Sequence, residues 1–270
     1  MIKQILRKNK LSLFFIYGYL TIYECLTLLT PMILGKAIDG LLDKNFLYIF
    51  FLFLIEFIAN IFMYKRMVYD TIVYTRIYNE MVFDYLSKDG NDVSEQCAHT
   101  DLAGTIIHFF EDAIPYYIMS IISIFGSLFF IFYTNLITGF IVLSCLVPII
   151  LLVLYLYPKI ATVTTLANTH FEGKIKALDN NEYVSYFNRR KKLQIYRSTL
   201  QGKSWFSLNN TKTTFLVIAL VSFTYNNNNL TQGEVISMYA YINQFLVSLM
   251  SIPIAMEIYS MVKDVSKRMS

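Results

Sequence analysis

Apolar residues fall in six long runs, separated by connections that alternate between a few residues and nearly 50. The runs are Leu11–Leu34, Phe46–Tyr64, Ile114–Tyr133, Ile137–Tyr157, Trp205–Tyr225 and Val235–Met256. Each holds about 20 residues, which at roughly 1.5 Å per residue matches a hydrocarbon core of about 30 Å. Backbone N–H and C=O groups inside lipid must find partners within their own segment, so each run is predicted to be a membrane-spanning helix.

The long connections also carry a helical pattern. Met67, Val68, Ile72, Val73, Ile77, Met81, Val82 and Tyr85 recur at helical spacing with no Pro or Gly between them. Turn-forming residues follow at Ser87–Asp92. Asp101 is the expected N-cap of a return helix that leads Leu102, Ile106, Ile107, Phe109 and Phe110 into the third run. In the second long connection, Lys159–Leu178 prolongs the fourth run, Asp179–Glu182 breaks it, and Tyr183–Leu200 climbs back to the fifth. Two antiparallel helical arms of roughly 30 Å should therefore project from one side, with polar tips near Asp89–Gln96 and Asn180–Tyr186. The short connections are expected at Gly35–Asn45, Thr134–Leu136 and Asn226–Glu234.

Composition agrees with a lipid environment. The chain is 56% hydrophobic and 16% charged, with mean hydropathy +0.48, against about 25% charged for an average soluble domain. Basic residues crowd the N-terminal segment, both long connections and the tail, while the opposite side has only Lys36 and Lys44. The positive-inside rule then places both termini and both arms in the cytoplasm. The net charge of +4 is accounted for by these flanks, so nucleic acid is not an expected partner. The N-terminus lacks a small-residue cleavage site and reads as a retained first span. Three cysteines, two of them inside spans, form no disulfide framework.

Charged and amide side chains within the spans are the candidates for chemistry. Glu24 and Glu56 lie midway along runs that travel in opposite directions, which places them at similar depth. An ionised carboxylate at mid-bilayer costs at least about 2.5 kcal/mol, so each should face the bundle interior or a partner, or else carry its proton. They line a path for a cationic or polar substrate, or relay protons; alternatively they join neighbouring helices through Tyr17, Tyr23 and Asn60. The sixth run adds a polar stripe of Asn243, Gln244 and Glu257, with Ser248 and Ser251 alongside. Cys97, His99 and Asp101, and then His108, Glu111 and Asp112, are metal-ligand types without the paired spacing of a zinc site, so no metal is expected. Arg189–Lys192 forms a basic face on the second arm, suited to an acidic partner or, close to the bilayer, to anionic lipid. Gln201-Gly-Lys-Ser204 imitates the end of a phosphate-binding loop, yet Arg197 stands where the required upstream glycine belongs.

Taken together, the pattern resembles the transmembrane domain of ABC exporters of the type IV fold. Pro31-Met-Ile-Leu-Gly-Lys-Ala-Ile-Asp39 resembles that family's Pro…Gly…Ile-Asp stretch, Thr231-Gln-Gly-Glu234 its Thr-x-Gly-Glu start, and Lys263–Arg268 its exit helix. The segment His108–Pro115 is similar to stand-alone six-span members that lack an ATPase domain. The resemblance implies an all-α integral membrane protein of a bacterial inner or plasma membrane, with six transmembrane helices, two cytoplasmic arms and a homodimeric or heterodimeric assembly. It implies a permease that uses ATP through a separate ATPase subunit. That subunit would contact Asp89, Gly90, Asn91 and Asp92 at one arm tip and Asn180, Asn181 and Glu182 at the other. A non-transporting interaction protein of the immunity type and a proton-driven carrier are the alternatives.

Overall fold

The computed structural model describes residues 8–86, 100, 103–104, 106–172, 183–227 and 229–268, and among them the regular structure is entirely helical. The helices are α1 (Lys10–Thr27), α2 (Thr30–Leu42), α3 (Leu47–Leu86), α4 (Ile114–Thr134), α5 (Leu136–Ser144), α6 (Leu146–Glu172), α7 (Tyr183–Tyr225) and α8 (Gln232–Arg268). A short π-helical segment, Phe109–Ala113, leads into α4. Four helical stretches are long and apolar enough to cross a membrane: Lys10–Leu42, Leu47–Phe83, Ile106–Thr134 and Leu136–Ala167. The fifth and sixth apolar runs are also helical, within α7 and α8. Asn209, Asn210 and Lys212 dilute the first, and Asn243, Gln244, Ser248 and Ser251 the second.

The first run differs from its expected limits. It breaks at Leu28–Leu29 and resumes as α2, which continues to Leu42, so most of the expected Gly35–Asn45 connection is helix. Pro31 accounts for the break, since it has no N–H to extend α1 and suits the first turn of a new helix. Tyr241 on α8 donates to the carbonyl of Leu28 at the break (3.0 Å), and Ser237 donates to that of Pro31 (2.8 Å). Gly35 is an approach point rather than a breaker. A Cβ on it would overlap Ser237 and the Gly233 backbone, and one on Gly233 would overlap the Gly35 backbone.

Beside this glycine contact, Asp39 sits at the start of α8. Its carboxylate accepts from Thr231 Oγ1 (2.7 Å) and from the Gly233 N–H (2.9 Å). Thr231 and Glu234 cap the same helix end reciprocally, Glu234 accepting from the Thr231 N–H (3.0 Å) and Thr231 Oγ1 from the Glu234 N–H (3.2 Å). A carboxylate at a helix N-terminus is favoured by the helix dipole as well. The two sequence stretches that carried the resemblance therefore meet in space, 192 residues apart in the chain at Asp39–Thr231.

α1 and α2 run antiparallel to α3. Lys8 pairs with Glu80 (2.6 Å), Tyr17 with Tyr74 (3.1 Å) and Thr30 with Glu56 (2.8 Å). α4 turns into α5 through Asn135 alone, whose extended backbone and side chain, accepting from the Thr138 N–H (2.9 Å), start the new helix. Two cores result. The larger gathers Ile131, Val142, Ile149, Phe223, Ile242, Phe245 and Leu249 from α4 to α8. The smaller joins Leu13 and Ile16 of α1 to Val73, Tyr74 and Ile77 of α3 and to Ile106, Ile107 and Phe110.

The π-helical segment lies beside this second core. Ile114 N–H bonds back to Phe109, five residues earlier, and Pro115 cannot supply the next donor. The carbonyls left short are taken by side chains: Tyr74 Oη donates to Phe110 O (3.0 Å) and Arg66 Nη2 to Glu111 O (3.3 Å). Tyr17 Oη lies 3.1 Å from that of Tyr74. Arg66 is in turn ion-paired to Asp70 (3.1 Å), both being buried.

Candidate functional site

Helical spacing on α4 presents Ser120, Ser123 and Ser127 on one face, and α8 presents Gln244, Ser248 and Ser251 towards it. The helices lie antiparallel, with Phe130 stacked on Tyr241 at 4.8 Å between ring centroids and Ser120 Oγ 2.5 Å from Ser251 Oγ. Between these points Glu24 arrives from α1. It is 5% exposed. Ser123 Oγ donates to Glu24 Oε1 (2.5 Å), and Gln244 Nε2 donates to Ser123 Oγ (3.1 Å). Three helices are thus joined by one continuous chain of polar side chains inside the apolar bundle. Ser248 extends it along α8 by donating to the Gln244 carbonyl (2.8 Å), and Ser251 donates to that of Ser248 (2.5 Å). Ser127 donates back to the Ser123 carbonyl.

The partner held by the Glu24 carboxylate is a neutral hydroxyl. Buried carboxylates are otherwise paired with a cation or neutralised by a proton. A cationic group or a proton is therefore what this chain of donors and acceptors is fitted to receive.

The other sequence candidates fall in different places. Glu56 is half-buried and accepts from Thr30 Oγ1 (2.8 Å), so the expected common depth of the two carboxylates does not hold. Thr30 stands six residues past Glu24, roughly 9 Å of helical rise. The break at Leu28–Leu29 is the reason midpoints of the runs were a poor guide to level. Asn243 is half-buried beside Gln244 and points about 100° away around α8. Glu257 lies in the helical backbone of α8, but its side chain is outside the described set, as are Asp89, Gly90, Asn91, Asp92, Asn180, Asn181 and Glu182. Cys97, His99 and Asp101 are also outside it. His108 Nδ1 pairs with Asp112 (2.5 Å) on an exposed surface. No group of three metal-ligating side chains occurs among the described residues. Gln201–Ser204 lies inside α7, with the backbone geometry of a helix rather than of a phosphate-cradling loop.

Ser123 was not singled out from the sequence, although its spacing with Ser120 and Ser127 was a readable signal. Removing it tests the chain directly. Ser123→Ala should destabilise the protein by about 1–3 kcal/mol, because Glu24 loses its donor and Gln244 its acceptor within the bundle. Thermal unfolding of the detergent-solubilised protein measures this, and a midpoint equal to that of the wild type would refute the linkage.

Comparison with known proteins gives one family. A model described as ABC transporter transmembrane region matches residues 2–233. No curated protein matches the chain.

Proposed function

The chain belongs to the ABC transporter transmembrane-region family, and from that premise we propose that it is the permease subunit of an ABC-type exporter, moving its substrate with ATP hydrolysed by a separate subunit. The family match over residues 2–233 carries this reading. In it, all six apolar runs span the membrane, both arms and both termini are cytoplasmic, and two such subunits enclose the pathway. Approach of the ATPase subunits draws the arm tips at 89–92 and 180–182 together and rocks the helices from inward-open to outward-open. Long continuous helices favour such coupling: α3 and α7 extend 40 and 43 residues without interruption.

Within this reading, Glu24, Ser123 and Gln244 form the polar station on the pathway, and Glu24 selects for a cationic or proton-bearing cargo. Glu56, Asn243 and Glu257 supply further polar surface. Co-purification from native membranes should yield an ATPase subunit whose hydrolysis changes when residues 89–92 or 180–182 are substituted. Recovery of the protein with no ATPase and no substrate flux would instead favour a non-transporting interaction role. Glu24→Gln keeps the shape and the hydrogen bond to Ser123 while removing the ability to ionise. It is expected to lower transport at least tenfold while leaving the unfolding midpoint near that of the wild type. Wild-type turnover with an unchanged pH profile would dismiss Glu24 from the pathway.

A further inference from the structure

Beyond the bundle, α6 and α7 converge on a cavity of about 250 Å³ lined by Ala167, His170, Tyr186, Arg190, Gln194 and Arg197 among others. Tyr186 marks it. The residue is 6% exposed, and its ring stacks on His170 at 4.3 Å between centroids. His170 Nε2 lies 2.9 Å from the Tyr186 carbonyl, which can only accept, so that nitrogen carries the proton. The Tyr186 hydroxyl, by contrast, is buried with no hydrogen-bond partner. Native structures seldom leave such a donor unsatisfied unless something else occupies the site.

The walls are also cationic. Residues 183–205 include Arg189, Arg190, Lys191, Lys192, Arg197 and Lys203 and contain no carboxylate. Arg190 and Arg197 already engage other groups, but a guanidinium has five N–H donors, so one engagement does not exhaust it. A vacant donor, a basic wall and room for about eight waters' volume suit an oxyanion with its hydration.

Two sources could offer one, a lipid headgroup or a soluble phosphate, and position distinguishes them. Trp205 opens the fifth apolar run, and Arg197 and Tyr186 precede it by eight and nineteen residues. On a continuous helix that is about 12 and 28 Å of rise away from the run, beyond the reach of a headgroup layer. We propose that the cavity between α6 and α7 is an anion site for a small soluble oxyanion of the phosphate class, with the Tyr186 hydroxyl as its central donor and the Arg190 and Arg197 guanidiniums as its charged wall. This site does not depend on the transport reading.

The test uses the full chain in phosphatidylcholine nanodiscs, titrated with radiolabelled inorganic phosphate at equilibrium. Saturable binding is expected, weakened at least tenfold by Tyr186→Phe, which keeps the ring and its stack on His170. Phosphate should also raise the unfolding midpoint of the wild type and not of Tyr186→Phe. Lys203→Gln, on the same helix outside the cavity, should bind as the wild type does. Absence of saturable binding, equal binding by Tyr186→Phe, or an equal loss in Lys203→Gln would overturn the site. A rise in the unfolding midpoint produced only by phosphatidylglycerol, and not by phosphate, would assign it to lipid and overturn the proposal.

Discussion

Replacing Asp70 with alanine is expected to destabilise the protein by about 3–5 kcal/mol, the usual consequence of leaving one member of a buried ion pair alone. Asp70 and Arg66 are 4% and 8% exposed and 3.1 Å apart, so water cannot take over the lost contact. The charge left behind would be Arg66, which also donates to the Glu111 carbonyl beside Pro115. That second task separates this pair from a simple ion pair. Exchanging both residues for apolar ones of similar volume is often neutral where only charges are lost. Here the double variant Arg66→Met, Asp70→Leu should recover part of the loss while remaining destabilised by about 1–3 kcal/mol, since the Glu111 carbonyl loses a donor. Denaturation of the two single variants and the double variant in detergent closes the cycle. A change below about 0.5 kcal/mol for Asp70→Ala would place the pair in contact with solvent and refute the assignment.

The second large effect belongs to the junction of α2 and α8. Gly233→Val is expected to destabilise by about 3 kcal/mol or more, with Gly233→Ala nearer the lower end of the 1–3 kcal/mol usual for overpacking. The obstruction is backbone: the first atoms a new Cβ would meet at Gly233 belong to Gly35. A side chain can swing aside, whereas a helix backbone yields only by moving the helix. That movement would also pull Gly233 N–H and Thr231 Oγ1 from the Asp39 carboxylate. Asp39→Asn keeps one acceptor oxygen and should have a smaller effect than Gly233→Val. Unfolding midpoints for the three variants provide the ranking, and an undisturbed Gly233→Val would show that α2 and α8 are not in contact.

Much of this architecture was legible because lipid imposes such strict conditions on a chain. Run length and helical spacing located every helix, and the continuation of the second run through Lys65 into α3 followed from the absence of Pro and Gly. Glycine misled at Gly35, since a residue that permits turns also permits close approach, and sequence does not distinguish the two uses. The candidate site was half legible. Glu24 and Gln244 declared themselves as polar groups in apolar runs, but their link through Ser123 depends on which faces of α1, α4 and α8 meet. The Arg66–Asp70 pair and the Tyr74 contact were invisible for a similar reason. Their purpose is to satisfy carbonyls that Pro115 strands, a need created only after the π-helical turn has formed.

The connectors opposite the arms have a consequence for biosynthesis. α2 joins α3 through residues 43–46, α4 joins α5 through Asn135, and α7 joins α8 through residues 226–231. In the proposed orientation these are the only segments between helices that must be carried across the bilayer during synthesis. Each belongs to a pair of adjacent antiparallel helices, so the nascent chain can enter lipid as three hairpins without translocating any extended hydrophilic stretch.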